Sequence, residues 1–210
     1  MSISPSQIYI LNLLELCVTI FRGPNSTGWT QLAHAGVPEL LRHVQQNPES
    51  LKLPIQELGN TLISPKKADT AELETEYVRL FITSPNGVPA PLYASCHLDT
   101  TPRTMGQSAV DMQARLHQAG LEIAMASNEP ADHLTIELEY LYTLLAQGWS
   151  ASPQDIRDSK DFARATMLPW VRTFRTALLS AHPHPVFEHA GNLLVAVLEI
   201  VADGHCRASS

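Results

Sequence analysis

The residues best suited to chemistry stand close together at 129–133, in the order Glu-Pro-Ala-Asp-His, with Glu137 and Glu139 just behind them. Side chains of these types suit three kinds of site. They can cap a helix, because acidic side chains accept hydrogen bonds from backbone N–H groups and favour the positive end of the helix dipole. They can hold a metal ion. They can also bind a cation, since carboxylates pair with guanidinium groups in bidentate geometry.

A metal site would use Glu129, His133 and Glu137, which we expect at positions i, i+4 and i+8 on one face of a helix. That arrangement would make the protein a metal-dependent hydrolase. Di-iron bundles, however, use Glu-x-x-His pairs on two helices plus further glutamates, and the chain has neither such a second motif nor HExxH. It also lacks GxSxG, GxGxxG and a Walker A sequence. The residues therefore favour a protein that is not an enzyme.

Helices are the elements that must position these side chains, because apolar residues recur at helical spacing and no alternating strand pattern is found. The helix that begins at Asn128 is apolar on two faces, which predicts a central place in a bundle. Further helices are predicted over about 5–21 behind a Ser4 capping box, from Pro38, from Pro54, from Asp69 through Phe81, over 104–119, from Ser152, over 162–179 with a kink at Pro169, and over 185–202.

The predicted fold class is all-α, a single globular helical bundle of roughly eight to ten helices in one domain over 1–210. A hinge is expected near 127–133, between an N-terminal lobe of about 1–127 and a C-terminal lobe of about 130–204. A long proline-rich loop at about 83–100 is expected to be ordered, because it carries side chains that can be buried.

Composition narrows the classes of partner. The net charge is −7, which disfavours nucleic acid and anionic lipid and can attract a basic peptide. The three cysteines are too far apart for a CxxC pair, so a reducing compartment is expected. No window of the sequence is expected to reach the ~20 apolar residues of a membrane span, and the N-terminus lacks a basic start. We expect a soluble, cytoplasmic protein.

Four segments resemble motifs of the TorD/DmsD family of redox enzyme maturation chaperones, in the same order and at similar spacing. Residues 76–81 (EYVRLF) look like the family's E-Y-x-R-L-F helix, and 89–95 (PAPLYAS) are similar to its A-P-P-Y/W-x-S loop. Residues 129–140 (EPADHLTIELEY) match its E-P-x-D-H…E-L-E-F/Y signature. Residues 168–174 (LPWVRTF) resemble its L-P-W-x-x-x-F segment.

The resemblance implies a chaperone that binds the twin-arginine leader of a molybdoenzyme precursor and holds it back from export until the cofactor is inserted. It implies no cofactor of the chaperone's own, although transient contact with molybdenum cofactor or guanine nucleotide stays open. The expected state is a monomer or weak homodimer. Carried over by position, the leader-binding residues are Tyr77, Leu80, Phe81, Leu92, Tyr93, Gly106, Glu129, Pro130, Asp132 and His133.

A further alternative to the leader-binding chaperone is an assembly factor that recognises the mature redox subunit. Both would fit an acidic helical protein. A twin-arginine leader has a basic segment followed by an apolar one, so its binding site needs carboxylates beside an apolar groove.

Overall fold

Helices form the architecture in the computed structural model, which describes residues 3–24, 37–46, 48–64, 70–99, 104–123, 128–150 and 153–204. Within these ranges extended pairing is limited to an isolated bridge between Tyr93 and His133. The α-helices are α1 (Pro5–Arg22), α2 (Val37–Arg42), α3 (Glu49–Leu62), α4 (Thr70–Tyr77), α5 (Ser95–Leu98), α6 (Gln107–Gln118), α7 (Leu134–Ser150), α8 (Pro153–Asp161), α9 (Leu168–Ser180) and α10 (Pro185–Asp203). The prediction of an all-α fold is confirmed.

Two segments of the chain are wound as π-helix. Val78–Ile82 extends α4, and Phe162–Met167 joins α8 to α9. Pro169 lies in the first turn of α9, where its missing N–H leaves no hydrogen bond unmade. The predicted disturbance near Pro169 is therefore present, as a change of helical winding directly before the proline.

The bundle is built around α10, against which α1, α3 and α9 pack. α7 packs on the other side of α1 and also contacts α8. By length and composition α10 could cross a membrane, but 61% of that stretch is buried inside the protein. The expectation that no segment approaches a membrane span is wrong for α10, because a central core helix needs the same apolar composition.

Several predicted helix starts are confirmed and others are wrong. Ser4 caps α1, and Ser4 N donates a hydrogen bond to Gln7 Oε1 at 2.8 Å, which completes the capping box. Pro54 does not open a helix; it lies inside α3, whose apolar face packs on α10, so packing overrides the penalty of an internal proline. Asp69 and Ser152, the two other predicted caps, lie outside the described residues.

The two helices beside the acidic segment also start later than predicted. α6 begins at Gln107, since Met105 has a φ of 61° and Gly106 is extended. α7 begins at Leu134, so residues 128–133 form a turn before the helix. The division into two lobes about this turn stays a prediction.

Candidate functional site

The acidic turn at 129–133 is joined to the proline-rich loop by backbone hydrogen bonds. Ala94 N donates to Asp132 O at 3.1 Å, and Leu134 N donates to Leu92 O at 2.8 Å. The loop thus pairs antiparallel with the turn, and the two signature segments form one unit. The loop ends in the short helix α5. The prediction of an ordered loop is confirmed over its described part.

Asp132 is fully buried and ties this unit to α5. Its Oδ2 accepts a hydrogen bond from Ser95 N at 2.9 Å, while Asp132 Oδ1 and Ser95 Oγ are buried without a partner in the described structure. Gly106 closes the same region: a Cβ there would lie 2.8 Å from Ser95 Cβ and 2.1 Å from Asp99 Oδ2. Only glycine fits this close approach.

We expect Asp132→Ala to destabilise the fold by about 1–3 kcal/mol, because Ser95 N–H would lose its acceptor in a buried place. Asp132→Asn keeps an acceptor oxygen and should recover most of this loss. Urea titration followed by far-UV circular dichroism measures both. An alanine variant as stable as the wild type would contradict the assigned role.

His133 acts as the cap of α7. Its Nδ1 accepts a hydrogen bond from Thr135 N at 3.2 Å and lies 2.9 Å from Thr135 Oγ1. Burial lowers the pKa of His133. Because Nδ1 accepts a hydrogen bond from Thr135 N, the neutral ring carries its proton on Nε2. The Tyr93 ring packs edge-on against it at 5.2 Å. The imidazole therefore fixes the entry of the chain into α7.

The metal-site grouping of Glu129, His133 and Glu137 is wrong in its geometry. Glu129 and His133 precede α7 and do not share its face. Glu137 is buried, and Trp170 Nε1 donates to its Oε2 at 2.9 Å. In the part of the chain that the structure describes, no group of three or more His, Cys, Asp or Glu side chains could hold a metal ion.

The aromatic residues of the E-Y-x-R-L-F segment belong to the core. Phe81 lies at the centre of a ring cluster, with centroids 5.0 Å from Tyr77, 5.4 Å from Phe187, 6.0 Å from Phe21 and 6.2 Å from Phe174. Edge-to-face pairs at these distances stabilise a core. The cluster carries the segment into contact with α1, α9 and α10.

The charged residues of the same segment also have a structural role. Arg79 donates two hydrogen bonds of 2.7 Å to Glu76, and a third of 3.2 Å to Ala181 O. Glu76 Oε1 accepts from His184 N at 2.8 Å. The hydrogen bond from Arg79 holds the pKa of Glu76 below its usual range. This pair clamps α4 and its π-helical extension to the turn before α10.

A cavity of about 910 Å³ opens beside the acidic turn, between α1, α6 and α7. The charged side chains in its lining are those of Arg22, Glu122, Glu129 and Glu139, which leaves the lining with an excess of carboxylates. Leu116, Leu121, Ile123 and Ile136 provide the apolar part of the wall. Such a lining suits a ligand that carries both positive charge and hydrocarbon.

Two of these carboxylates already accept hydrogen bonds from the protein. Tyr93 O–H donates to Glu129 Oε2 at 2.7 Å, and Arg22 forms an ion pair with Glu139. The hydrogen bond from Tyr93 holds one Glu129 oxygen at the junction of the turn and the loop. Glu129 itself is exposed. Its position is therefore defined while its charge remains open to solvent.

A second, more apolar groove of about 720 Å³ runs along α6. Met105, Ala109 and Val110 line one side, and Pro130 and Ala131 the other. Val110 is 61% exposed and Met105 is more exposed still, although both are large apolar side chains. α6 buries only its opposite edge, through Met112 and Leu116. The groove is an unfilled apolar surface of the kind that binds an amphipathic helix.

The cavity and the groove meet at Ile123, Asn128 and Glu129, which line both. An acidic, partly apolar space thus continues into an apolar one. A cleft made of these two parts therefore lies beside the acidic turn, with α6 and not the proline-rich loop among its described walls.

The predicted site residues divide between the cleft and its support. Tyr77, Glu129 and His133 line the cavity, and Glu129 and Pro130 line the groove. Tyr93 is half-buried and holds Glu129, and Gly106 packs behind the turn. Leu80, Phe81, Leu92 and Asp132 are buried in the core, so their direct contact with a ligand stays a prediction.

Sequence reasoning missed the side chains that α1 and α6 bring to the cleft, above all Arg22, Val110 and Leu116. Arg22 is 117 residues away from its partner Glu139, and no local pattern links them. The exposed apolar residues of α6 were a usable signal, because the helix carries more apolar side chains than one buried edge requires.

Comparison with known proteins finds one family model and several chaperone sequences that are similar to this chain. A sequence model of the family described as "Nitrate reductase delta subunit" matches residues 45–176. Chaperone protein TorD of Photobacterium profundum is 25% identical over 159 residues, which are 72% of this chain and 73% of that protein. Chaperone protein TorD of Salmonella arizonae is 24% identical over 186 residues, covering 87% of this chain and 84% of the relative.

Two further matches extend this picture. The Tat proofreading chaperone DmsD of Salmonella typhimurium is 26% identical over 121 residues, 58% of this chain and 56% of its own length. A crystal structure of a protein from Archaeoglobus fulgidus, described as a redox enzyme maturation protein, covers 92% of this chain and 94% of that one with a TM-score of 0.54. At 18% identity this likeness concerns the fold alone.

Proposed function

Since the chain belongs to the TorD/DmsD family, whose sequence model is described as the nitrate reductase delta subunit, we propose that it is a cytoplasmic, system-specific chaperone. In this proposal it binds the twin-arginine leader of a molybdoenzyme precursor and assists insertion of the cofactor before export. The chain itself has no resident cofactor in this proposal; the molybdenum cofactor belongs to the client.

The observation that carries the proposal is the continuity between the acidic cavity and the apolar groove at Glu129. A leader presents a pair of arginines and then an apolar stretch. The arginines fit the cavity, where carboxylates accept guanidinium groups. The apolar stretch, once helical, fits the groove along α6. The two surfaces adjoin at Glu129, as the basic and apolar segments of the leader adjoin in its sequence.

The expected affinity is moderate. Ordering a flexible leader consumes on the order of 2–5 kcal/mol of the interaction free energy, and the carboxylates at the cavity are partly hydrated, so their ion pairs are screened. A dissociation constant of roughly micromolar size follows. Such binding suits a chaperone that must release its client.

The test is calorimetric binding of a synthetic peptide that contains the arginine pair and the apolar stretch. We expect a stoichiometry near one. Changing the arginine pair to Gln-Gln should weaken binding at least about tenfold, and Glu129→Gln should weaken it roughly three- to tenfold, because a charge is lost while the acceptor for Tyr93 remains. Glu199→Gln, whose carboxylate pairs with Arg172 outside the cleft, is the matched control.

Equal binding of the arginine and glutamine peptides would overturn the proposal. Capture of the leaderless catalytic subunit in preference to the leader peptide would instead support an assembly factor that recognises the mature subunit. Both experiments use the full chain, so the outcomes can be compared directly.

A further inference from the structure

Arg22 places the protein's own guanidinium group inside the cavity. It is the last residue of α1 and forms an ion pair with Glu139 of α7. Both side chains line the cavity, together with Glu122 and Glu129. A cation at the C-terminal end of a helix also interacts favourably with the helix dipole. That role alone would not require the Arg22 side chain to line the cavity.

We propose that Glu139 is a guanidinium-binding subsite which Arg22 occupies in the free protein, and that a leader arginine displaces Arg22 when it binds. This inference rests on the proposed function and adds that Arg22 competes with the leader arginine for Glu139. The bound and free states then differ in which guanidinium Glu139 accepts. The protein's own arginine sets a threshold that an incoming ligand must exceed.

The exposure of the pair makes displacement inexpensive. The Arg22 and Glu139 side chains are 54% and 53% exposed, and exposed ion pairs contribute little to stability because water and salt screen them. α1 and α7 pack on one another through buried apolar residues. Arg22 can therefore leave by rotation of its side chain, and neither helix has to move.

Charge balance favours exchange over addition. Among the described residues, the charged lining of the cavity comprises three carboxylates and one guanidinium. If Arg22 stays, the binding of two leader arginines places three guanidinium groups in one cavity, and like charges at short range repel. If Arg22 swings into solvent, the two incoming guanidinium groups face the same three carboxylates without Arg22 beside them.

The Glu139 subsite also selects arginine over lysine. A guanidinium presents a planar fork of donors that can match both carboxylate oxygens, whereas an ammonium group is a compact and strongly hydrated point charge. A ligand lysine therefore displaces Arg22 less well than a ligand arginine does. Arg22 lowers the apparent affinity for both cations by the same factor, so the preference for arginine comes from the carboxylate of Glu139.

The first test is Arg22→Gln in the full chain. We expect the twin-arginine peptide to bind roughly three- to tenfold more tightly. The preference for twin-arginine over twin-lysine peptide should stay the same, because loss of the internal competitor raises both affinities by one factor. The Gln-Gln peptide should show no gain. Arg172→Gln is the matched control, because Arg172 pairs with Glu199 and is 59% exposed but lies outside the cleft.

A double variant isolates the subsite. Glu139→Gln should weaken the twin-arginine peptide, and adding Arg22→Gln to it should give no further gain, since the carboxylate that both arginines compete for is absent. Unchanged or weaker binding by Arg22→Gln, with leader binding intact in the wild type, overturns the competitor and leaves the proposed function standing. Failure of the wild-type chain to bind the leader overturns the proposed function itself.

A measurement on the wild-type protein detects the displacement of Arg22 directly. The side-chain ¹⁵Nε resonance of Arg22, assigned by its loss in Arg22→Lys, should shift when twin-arginine peptide saturates the protein and should stay in place with the Gln-Gln peptide. Saturation by the twin-arginine peptide with an unmoved Arg22 resonance overturns the exchange.

Discussion

Replacing Val110 by aspartate is expected to weaken leader binding by at least roughly thirtyfold. Val110 lies on the exposed edge of α6 and lines the apolar groove. A helical apolar segment docked there would bury the new carboxylate against hydrocarbon, and burial of an unpaired charge is strongly unfavourable. The new carboxylate does not repel the basic half of the leader. The loss of affinity should therefore come from the contacts of the apolar half.

Leu53 provides a matched control for this variant. It is also 61% exposed, the same fraction as Val110, but it lies on α3, away from the groove. Leu53→Asp should leave peptide affinity within about twofold of the wild type, because surface substitutions away from a binding site change little. Fluorescence anisotropy with a labelled peptide measures both variants. Equal affinities for the two aspartate variants would remove the groove from the binding site.

Glu137→Gln is expected to stabilise the protein, and the gain should grow with pH. Burial raises the pKa of Glu137 from its ordinary 4.5 to about 8. Between these values the folded protein retains a proton that the unfolded chain releases. The free energy of unfolding of the wild type therefore falls as pH rises from about 4.5 to about 8 and levels off above that.

The glutamine variant removes this loss. Its amide oxygen can still accept the hydrogen bond from Trp170 Nε1, and it has no charge to bury. Since one pKa unit corresponds to about 1.4 kcal/mol, we expect the variant to exceed the wild type by on the order of 4 kcal/mol at pH 8 and to match it near pH 4.5.

Urea unfolding curves at four pH values between 5 and 8 measure the difference. Glu74→Gln, at an exposed position of α4, should follow the wild type throughout because no buried charge is removed. A Glu137→Gln variant that is less stable than the wild type at pH 8 would mean that the hydrogen bond from Trp170 requires a charged acceptor.

The signature motifs turn out to act mainly by assembling the cleft. His97 Nε2 donates a hydrogen bond to Pro91 O at 2.7 Å, and the ring stacks on Trp170 with centroids 5.8 Å apart. Trp170 in turn binds Glu137. The loop, the acidic helix and the L-P-W segment are therefore fastened to each other in the core. Motifs that look like recognition elements in the sequence here connect the walls of the candidate cleft through the core.

Local helix signals were reliable where the chain itself makes the cap. The Ser4 capping box and the αL glycine at Gly204 mark the ends of α1 and α10, and both depend on residues a few positions apart. Pro54 misled the prediction because α3 is stabilised by packing on a distant helix. The acidic turn misled it because Asp132 caps α5, not the helix that follows it.

The amino-acid sequence by itself determined the helical class, the family and the neighbourhood of the site, because apolar periodicity, caps and ordered motifs are properties of local chain segments. Tertiary structure alone decided that Asp132 and Phe81 face the core while Arg22 and Val110 reach the cleft. The physical reason is that a cleft is the space left between packed helices. Its lining depends on which helix faces are buried in the core. That in turn depends on contacts between residues more than a hundred positions apart in the sequence.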